Sequence, residues 1–226
     1  MRRVALAAFL ALAVSATFAG RGGAANECRG ITACIPVEGP WVAVRHGAEG
    51  DFLASCGRHG IVGGIDADAT SPAVRISFDG RLGSPVSPGV TTTQTAFFRG
   101  RLVGPRRLAA FKPWLGCIPA SAGGGRSTVS ARAAPGAALD RRARILVVLP
   151  GEVRTAAIGC PVGEQLVGGW DALAFRTKAP PDLRNVALVD ANRVVTRRKV
   201  YVTVSATDAL SIDAHAVVQV GAECAP

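Results

Sequence analysis

One pattern is written twice in this chain, and that constrains its fold more than any other feature. Val42-Ala43-Val44-Arg45-His46-Gly47 is echoed by Leu146-Val147-Val148-Leu149-Pro150-Gly151. A cysteine follows each glycine at the same distance: Gly47 to Cys56 and Gly151 to Cys160. Next come Ile61-Val62-Gly63-Gly64 and Leu166-Val167-Gly168-Gly169, and each pattern closes on Cys-x-Pro, at Cys117 and Cys224. The cysteines are offset by 104 (160 − 56) and the double glycines by 105 (168 − 63), a one-residue insertion. Three matches in the same order point to a duplicated unit. The expected organisation is a first unit over 41–119, a second over 144–226, and an Ala-, Gly-, Ser- and Arg-rich linker or long loop over 120–143.

The repeat also proposes a cysteine pairing. Cys28, Cys34, Cys56, Cys117, Cys160 and Cys224 allow fifteen connectivities. Treating both units alike selects Cys56–Cys117 and Cys160–Cys224, and leaves Cys28–Cys34 as a short loop within the segment 26–40. Zinc would require paired Cys or His at close spacing, and the chain holds no C-x-x-C. Asp66-x-Asp68-x-Thr70 opens like a calcium loop but has Ser71 and Ser77 where that loop needs Gly and Glu. Asp66 and Asp171 are therefore expected to cap turns. No cofactor motif is present.

Residues 1–25 read as a secretory signal peptide. Met1-Arg2-Arg3 is basic, Val4 to Ala19 carries no charge, and small residues between Ala16 and Ala25 offer cleavage sites. The apolar run is shorter than the roughly 20 residues of a spanning helix, so no transmembrane segment is expected in the mature chain. Export fits disulfide use. The expected location is secreted or extracytoplasmic.

Within each unit the period is two. Val200-Tyr201-Val202-Thr203-Val204-Ser205 alternates, and Ala214, Ala216, Val218, Val220, Ala222 and Cys224 fall on one face of a last strand, with His215, Gln219 and Glu223 facing outward. Trp41–Val44, Val74–Phe78, Thr92–Phe98, Leu146–Leu149 and Val186–Val189 are further strands, separated by Gly and Pro turns. The expected fold is all-β: two similar antiparallel β-sandwich or open-barrel units in tandem, stabilised by disulfides. Pro113 predicts an edge or bulged strand in the first unit.

Cys160-Pro161-x-Gly163, Val167-Gly168-Gly169 and Ala222-x-Cys224-Ala225 resemble a β module of secreted bacterial proteins of unassigned function. The resemblance implies extracellular β structure and brings no catalytic residues. Cys56-Gly57-Arg58-His59-Gly60-Ile61-Val62-Gly63-Gly64 also resembles the activation site of trypsin-like serine proteases. That family's nucleophile motif Gly-Asp-Ser-Gly-Gly is absent, and no histidine follows Thr155-Ala156-Ala157, so its chemistry is excluded.

The remaining handle is charge, with 26 Lys+Arg against 16 Asp+Glu. Arg106, Arg107, Arg197 and Arg198 belong to basic clusters that would draw an anionic partner. A GC-rich coding bias toward Arg explains them equally well. Counting back from Cys117, Lys112 and Trp114 point away from the core. An exposed Trp114 can stack on a sugar ring or a partner side chain; the alternative is packing against the other unit or the linker. Aromatics at 5% are too few to stack a nucleic acid strand. The chain therefore reads as a secreted, non-catalytic binding or structural protein for an anionic cell-wall polymer or glycan. The rival is a small hydrolase whose site is not recognisable as a motif.

Overall fold

A computed structural model describes residues 35–57, 60–79, 94–119 and 139–226. The signal segment, Cys28, Cys34 and most of the 120–143 stretch lie outside the described residues. The first strands are β1 (Ile35–Glu38), β2 (Trp41–Arg45), β3 (Glu49–Ser55), β4 (Gly60–Ala69), β5 (Val74–Asp79), β6 (Thr95–Leu102) and β7 (Leu108–Pro119). They are followed by β8 (Asp140–Val147), β9 (Val153–Gly159), β10 (Gln165–Phe175), β11 (Val189–Val195), β12 (Lys199–Ala206) and β13 (Ala216–Ala225). Two 3-10 turns, Leu183–Leu188 and Ile212–Ala214, are the only helical segments among the described residues. The chain is all-β, and every strand pairing is antiparallel.

One seven-stranded sheet runs through the molecule. In its first part β7 lies between β4 on one edge and β1 with β2 on the other. In its second part β13 lies between β10 and β8. A short pairing of β2 with β10, Trp41 opposite Phe175 and Val42 opposite Ala174, joins the two parts. A three-stranded sheet β3-β6-β5 packs on one face and another, β11-β12-β9, on the other. Alternation makes both cores. Val42, Val44, Phe111, Leu115 and Phe98 fill the first, while Phe175, Val218, Val220, Val200 and Val202 fill the second.

Each part is closed by one long disulfide, Cys56–Cys117 and Cys160–Cys224. Both are the pairings expected from the repeat. Each stabilises by about 4 kcal/mol in the chain-entropy model. Bridges of this kind form in oxidising compartments, which puts the chain outside the cytoplasm. No helix among the described residues is long and apolar enough to cross a membrane.

Four local expectations change. First, Val186 lies in a 3-10 turn rather than a strand, because Asp182 accepts from the Arg184 N–H and starts a helical turn. Second, β7 is an interior strand in spite of Pro113. The Pro113 carbonyl accepts from Gly39 N–H at 2.8 Å, so its missing donor faces the break between β1 and β2, where no ladder partner needs it. A side chain at Gly39 would run into the Pro113 ring. Third, Asp66 and Asp171 stand mid-strand, in β4 and β10, and cap no turn. Fourth, Gln219 is fully buried, because β13 is covered on both faces. β8 also begins four residues before position 144.

Candidate functional site: the open sheet face around Trp114

β7 presents Phe111, Leu115 and Cys117 to the first core, so Lys112 and Trp114 emerge on the opposite face. The cross-strand neighbours of Trp114 are Glu38 on β1 and Asp66 on β4; that of Lys112 is Asp68. These side chains share the face. The Trp114 ring is half-buried and held in place: Nε1–H donates to Asp68 Oδ2 at 2.9 Å, and Lys112 Nζ lies 5.2 Å from the ring centroid. Its outward position on the strand predicts Lys112 at the surface. Instead its side chain is only 7% exposed, ion-paired with Glu38 and also 5.8 Å from the buried Trp41 ring. Buried ammonium groups need such partners, and two aromatic faces with one carboxylate supply them.

The arginines do not join this face. Arg106 and Arg107 are exposed in the β6–β7 connection, and the Arg107 carbonyl accepts from His46 N–H. Arg107 is seven residues along the chain from Trp114, roughly 23 Å at strand rise. Arg197 and Arg198 are exposed at the β11–β12 turn, in a different sheet. The near neighbours of Trp114 are thus mainly carboxylates. Composition pointed to a basic surface because it sums over the chain, whereas the ladder decides which charges meet.

A second feature lies where the two parts meet. A cleft of about 420 Å³ is lined by Arg45, Glu49, Asp51, Asp171 and Arg193, with Trp170 in its wall. Arg99 Nε donates to Asp51 at 3.0 Å, and Arg193 Nη1 donates to Asp171 at 3.0 Å. Burial pushes both carboxyls above the ordinary aspartate value, and the arginines pull each back only in part. Arg45 donates to the carbonyls of Val186 and Val189, tying β2 to the second part.

Beneath the cleft is a buried polar knot that sequence reasoning missed. Leu53 N–H donates to Gln219 Oε1 at 2.7 Å, and Gln219 Nε2 donates back to the Leu53 carbonyl at 3.0 Å. Trp170 Nε1–H donates to the same Oε1 at 3.2 Å. The side-chain amide thus serves as a strand partner for the outer edge of β3. Phe97 meets Trp170 edge-on, with centroids 4.8 Å apart. The signal that could have exposed this knot is the run on both sides of Gln219, Val217-Val218-Gln219-Val220, which is apolar at every other position and so reads as covered on both faces.

No set of three or more His, Cys, Asp or Glu residues among the described residues is placed to hold a metal ion. His46 and His215 are exposed in turns. No protein-family model matches the chain, and neither a curated protein nor a solved structure does.

Proposed function

We propose that this chain is an exported, non-catalytic binding or structural module whose contact surface is the open sheet face around Trp114. The observation that carries the reading is a rigidly held, partly exposed indole on a sheet face that no other sheet among the described residues packs over. An aromatic ring fixed by two polar partners loses little freedom when it is covered, which is how Trp serves as an anchor. Carboxylates around the ring disfavour a polyanion there. An anionic wall polymer would have to engage Arg106 and Arg107 or Arg197 and Arg198 instead. The reading also takes 41–119 and 144–226 as copies of one unit, of the kind found in secreted bacterial β proteins. Its support is the constant spacing of ladder partners: Leu53 faces Phe97 as Ala157 faces Tyr201, both 104 residues on.

The test is retention of the tagged, disulfide-intact protein on cell envelopes that carry its native counterpart. Trp114→Ala is expected to lower retention about tenfold or more, the scale of an anchor residue. Unchanged retention would remove the face from consideration.

The hydrolase reading rests on Asp51 and Asp171, which line one cleft with raised carboxyl pKa values. Each is bonded to a guanidinium, as in an ion-pair network holding two layers together. Release of reducing ends from a glycan, abolished by Asp171→Asn, would favour the enzyme instead.

A further inference from the structure

The partner of the Trp114 face can be named from the junction inside the chain, on the reading that this face is a contact surface. We propose that a second copy of this chain docks there head to tail, seating the outer face of its β9 and β12 on Trp114.

The junction already used once has two sides. One is the face of β10 and β13 that carries Trp170, with Gly221 opposite, and Ala172, with Gln219 opposite. The other is the outer face of β3 and β6, which lays Phe97 on Trp170 and the Leu53 backbone on Gln219. Each side has a counterpart at fixed spacing. Asp66 opposite Trp114 and Asp68 opposite Lys112 stand where Trp170–Gly221 and Ala172–Gln219 stand, 104 and 107 residues earlier. Ala157 and Tyr201 stand where Leu53 and Phe97 stand. Among the described residues no other sheet packs over either counterpart. Trp114 is half-exposed, and Tyr201 and Val153 are 38% and 69% exposed.

The two open faces also suit each other chemically. The Trp114 face holds Glu38, Asp66 and Asp68 against the single Lys112. The outer face of β9 and β12 carries Lys199, with Arg198 beside it in the turn and Asp190 of β11 at the far end, while Arg154 alternates onto the core side and donates to the Val147 carbonyl. Thr155 and Thr203 lie 3.0 Å apart on the same face as Lys199, two residues from Tyr201. The strand edges match as well. Inside the chain β2 pairs with β10, and the corresponding strands β8 and β4 are the two ends of the central sheet. Ile145 and Val147 on β8 are 39% and 46% exposed, an apolar sheet edge of the kind that invites pairing. A contact that uses a different face of each copy leaves one of each unused, so it grows into a filament or closes into a ring.

Sedimentation velocity on the purified, oxidised protein tests this. Wild type is expected to show species heavier than monomer that increase with concentration. Trp114→Asp and Tyr201→Asp are each expected to weaken assembly about tenfold or more, since each sets a charge against the docking ring. A one-to-one mixture of these two variants is expected to stop at dimers, because one intact junction remains between them. Thr155→Glu, at an exposed position away from both cores, sets a further carboxylate against Glu38, Asp66 and Asp68, so it should act like Tyr201→Asp and guards against a folding defect. Wild type that stays monomeric, or variants that assemble like wild type, would overturn the proposal. Monomeric protein whose envelope retention still needs Trp114 defeats self-docking alone. Retention that also ignores Trp114 defeats the contact face as well.

Discussion

Trp170 and Trp114 both stand on antiparallel rungs of the central sheet, yet one is 3% exposed and the other remains partly open. The difference lies in what surrounds them. Trp170 has Gly221 opposite, Ala172 beside it, and the neutral amide of Gln219 as its hydrogen-bond acceptor. Trp114 has Asp66 opposite, the Asp68 carboxylate as acceptor, and an ammonium over its ring. A charge left in water costs nothing, whereas a charge covered without partners costs several kcal/mol. The covered face therefore needs glycine, alanine and an amide, and the other tolerates Asp66 and Asp68 toward water and the buried Lys112 only with Glu38 and two rings around it. One sheet thus carries a junction in one place and a surface in the other.

Deleting the rings should separate these roles most widely. Trp170→Ala is expected to destabilise by about 3–5 kcal/mol, because it empties a packed site and removes the ring that Phe97 meets. Trp114→Ala should cost about 1 kcal/mol or less, the scale of a partly exposed residue with one hydrogen bond. Chemical denaturation of both variants checks the contrast, and equal losses would break it. The rung opposite tests the same point: Gly221→Val forces a side chain into the Trp170 ring and should cost about 1–3 kcal/mol.

The next effect in size concerns the amides. Gln219→Ala leaves the Leu53 N–H and carbonyl and the Trp170 N–H without their acceptor or donor. At about 1 kcal/mol or more for each buried group, a loss of about 2–3 kcal/mol is expected. Lys112→Gln, on the open side, frees only the half-exposed Glu38 and should cost less than half as much. A larger loss at Lys112 than at Gln219 would mean that the open face is structural after all.

The all-β fold and both described disulfides were legible because alternation and cysteine spacing are local or periodic signals. The central sheet was not. Gln219 and Lys112 both sit at outward-pointing positions of their strands, and alternation cannot tell an outward face in water from one covered by a further layer. Pro113 misled for a related reason: a proline rules out a ladder donor, but only the partner's break at Gly39 shows that no donor is required. The bulges were hidden too: the ladder skips Gly63 in β4 and Val167 in β10, beside each double glycine. Trp114 was placed on the correct face, but its carboxylate neighbours come from β1 and β4, whose pairing with β7 no local pattern revealed.

The smallest effect expected is a pH dependence confined to the covered junction. Asp51 and Asp171 have carboxyl pKa values raised in the folded chain, first by burial, with Arg99 acting against it at Asp51 and Arg193 and Arg45 at Asp171. An acid that is harder to ionise in the folded state than in the unfolded state binds more protons when folded. Its favourable contribution is complete below the unfolded value and is lost as pH rises through the raised folded value. Wild type should therefore gain stability relative to Asp171→Asn as pH falls from neutral toward the ordinary aspartate range. Denaturant midpoints of the two proteins across that range measure the difference. If the slope at Asp171 were reversed, the guanidinium of Arg193 would outweigh burial. The cleft would then be a strong ion-pair clamp between the two parts, and the contrast between covered and open faces would rest on packing alone.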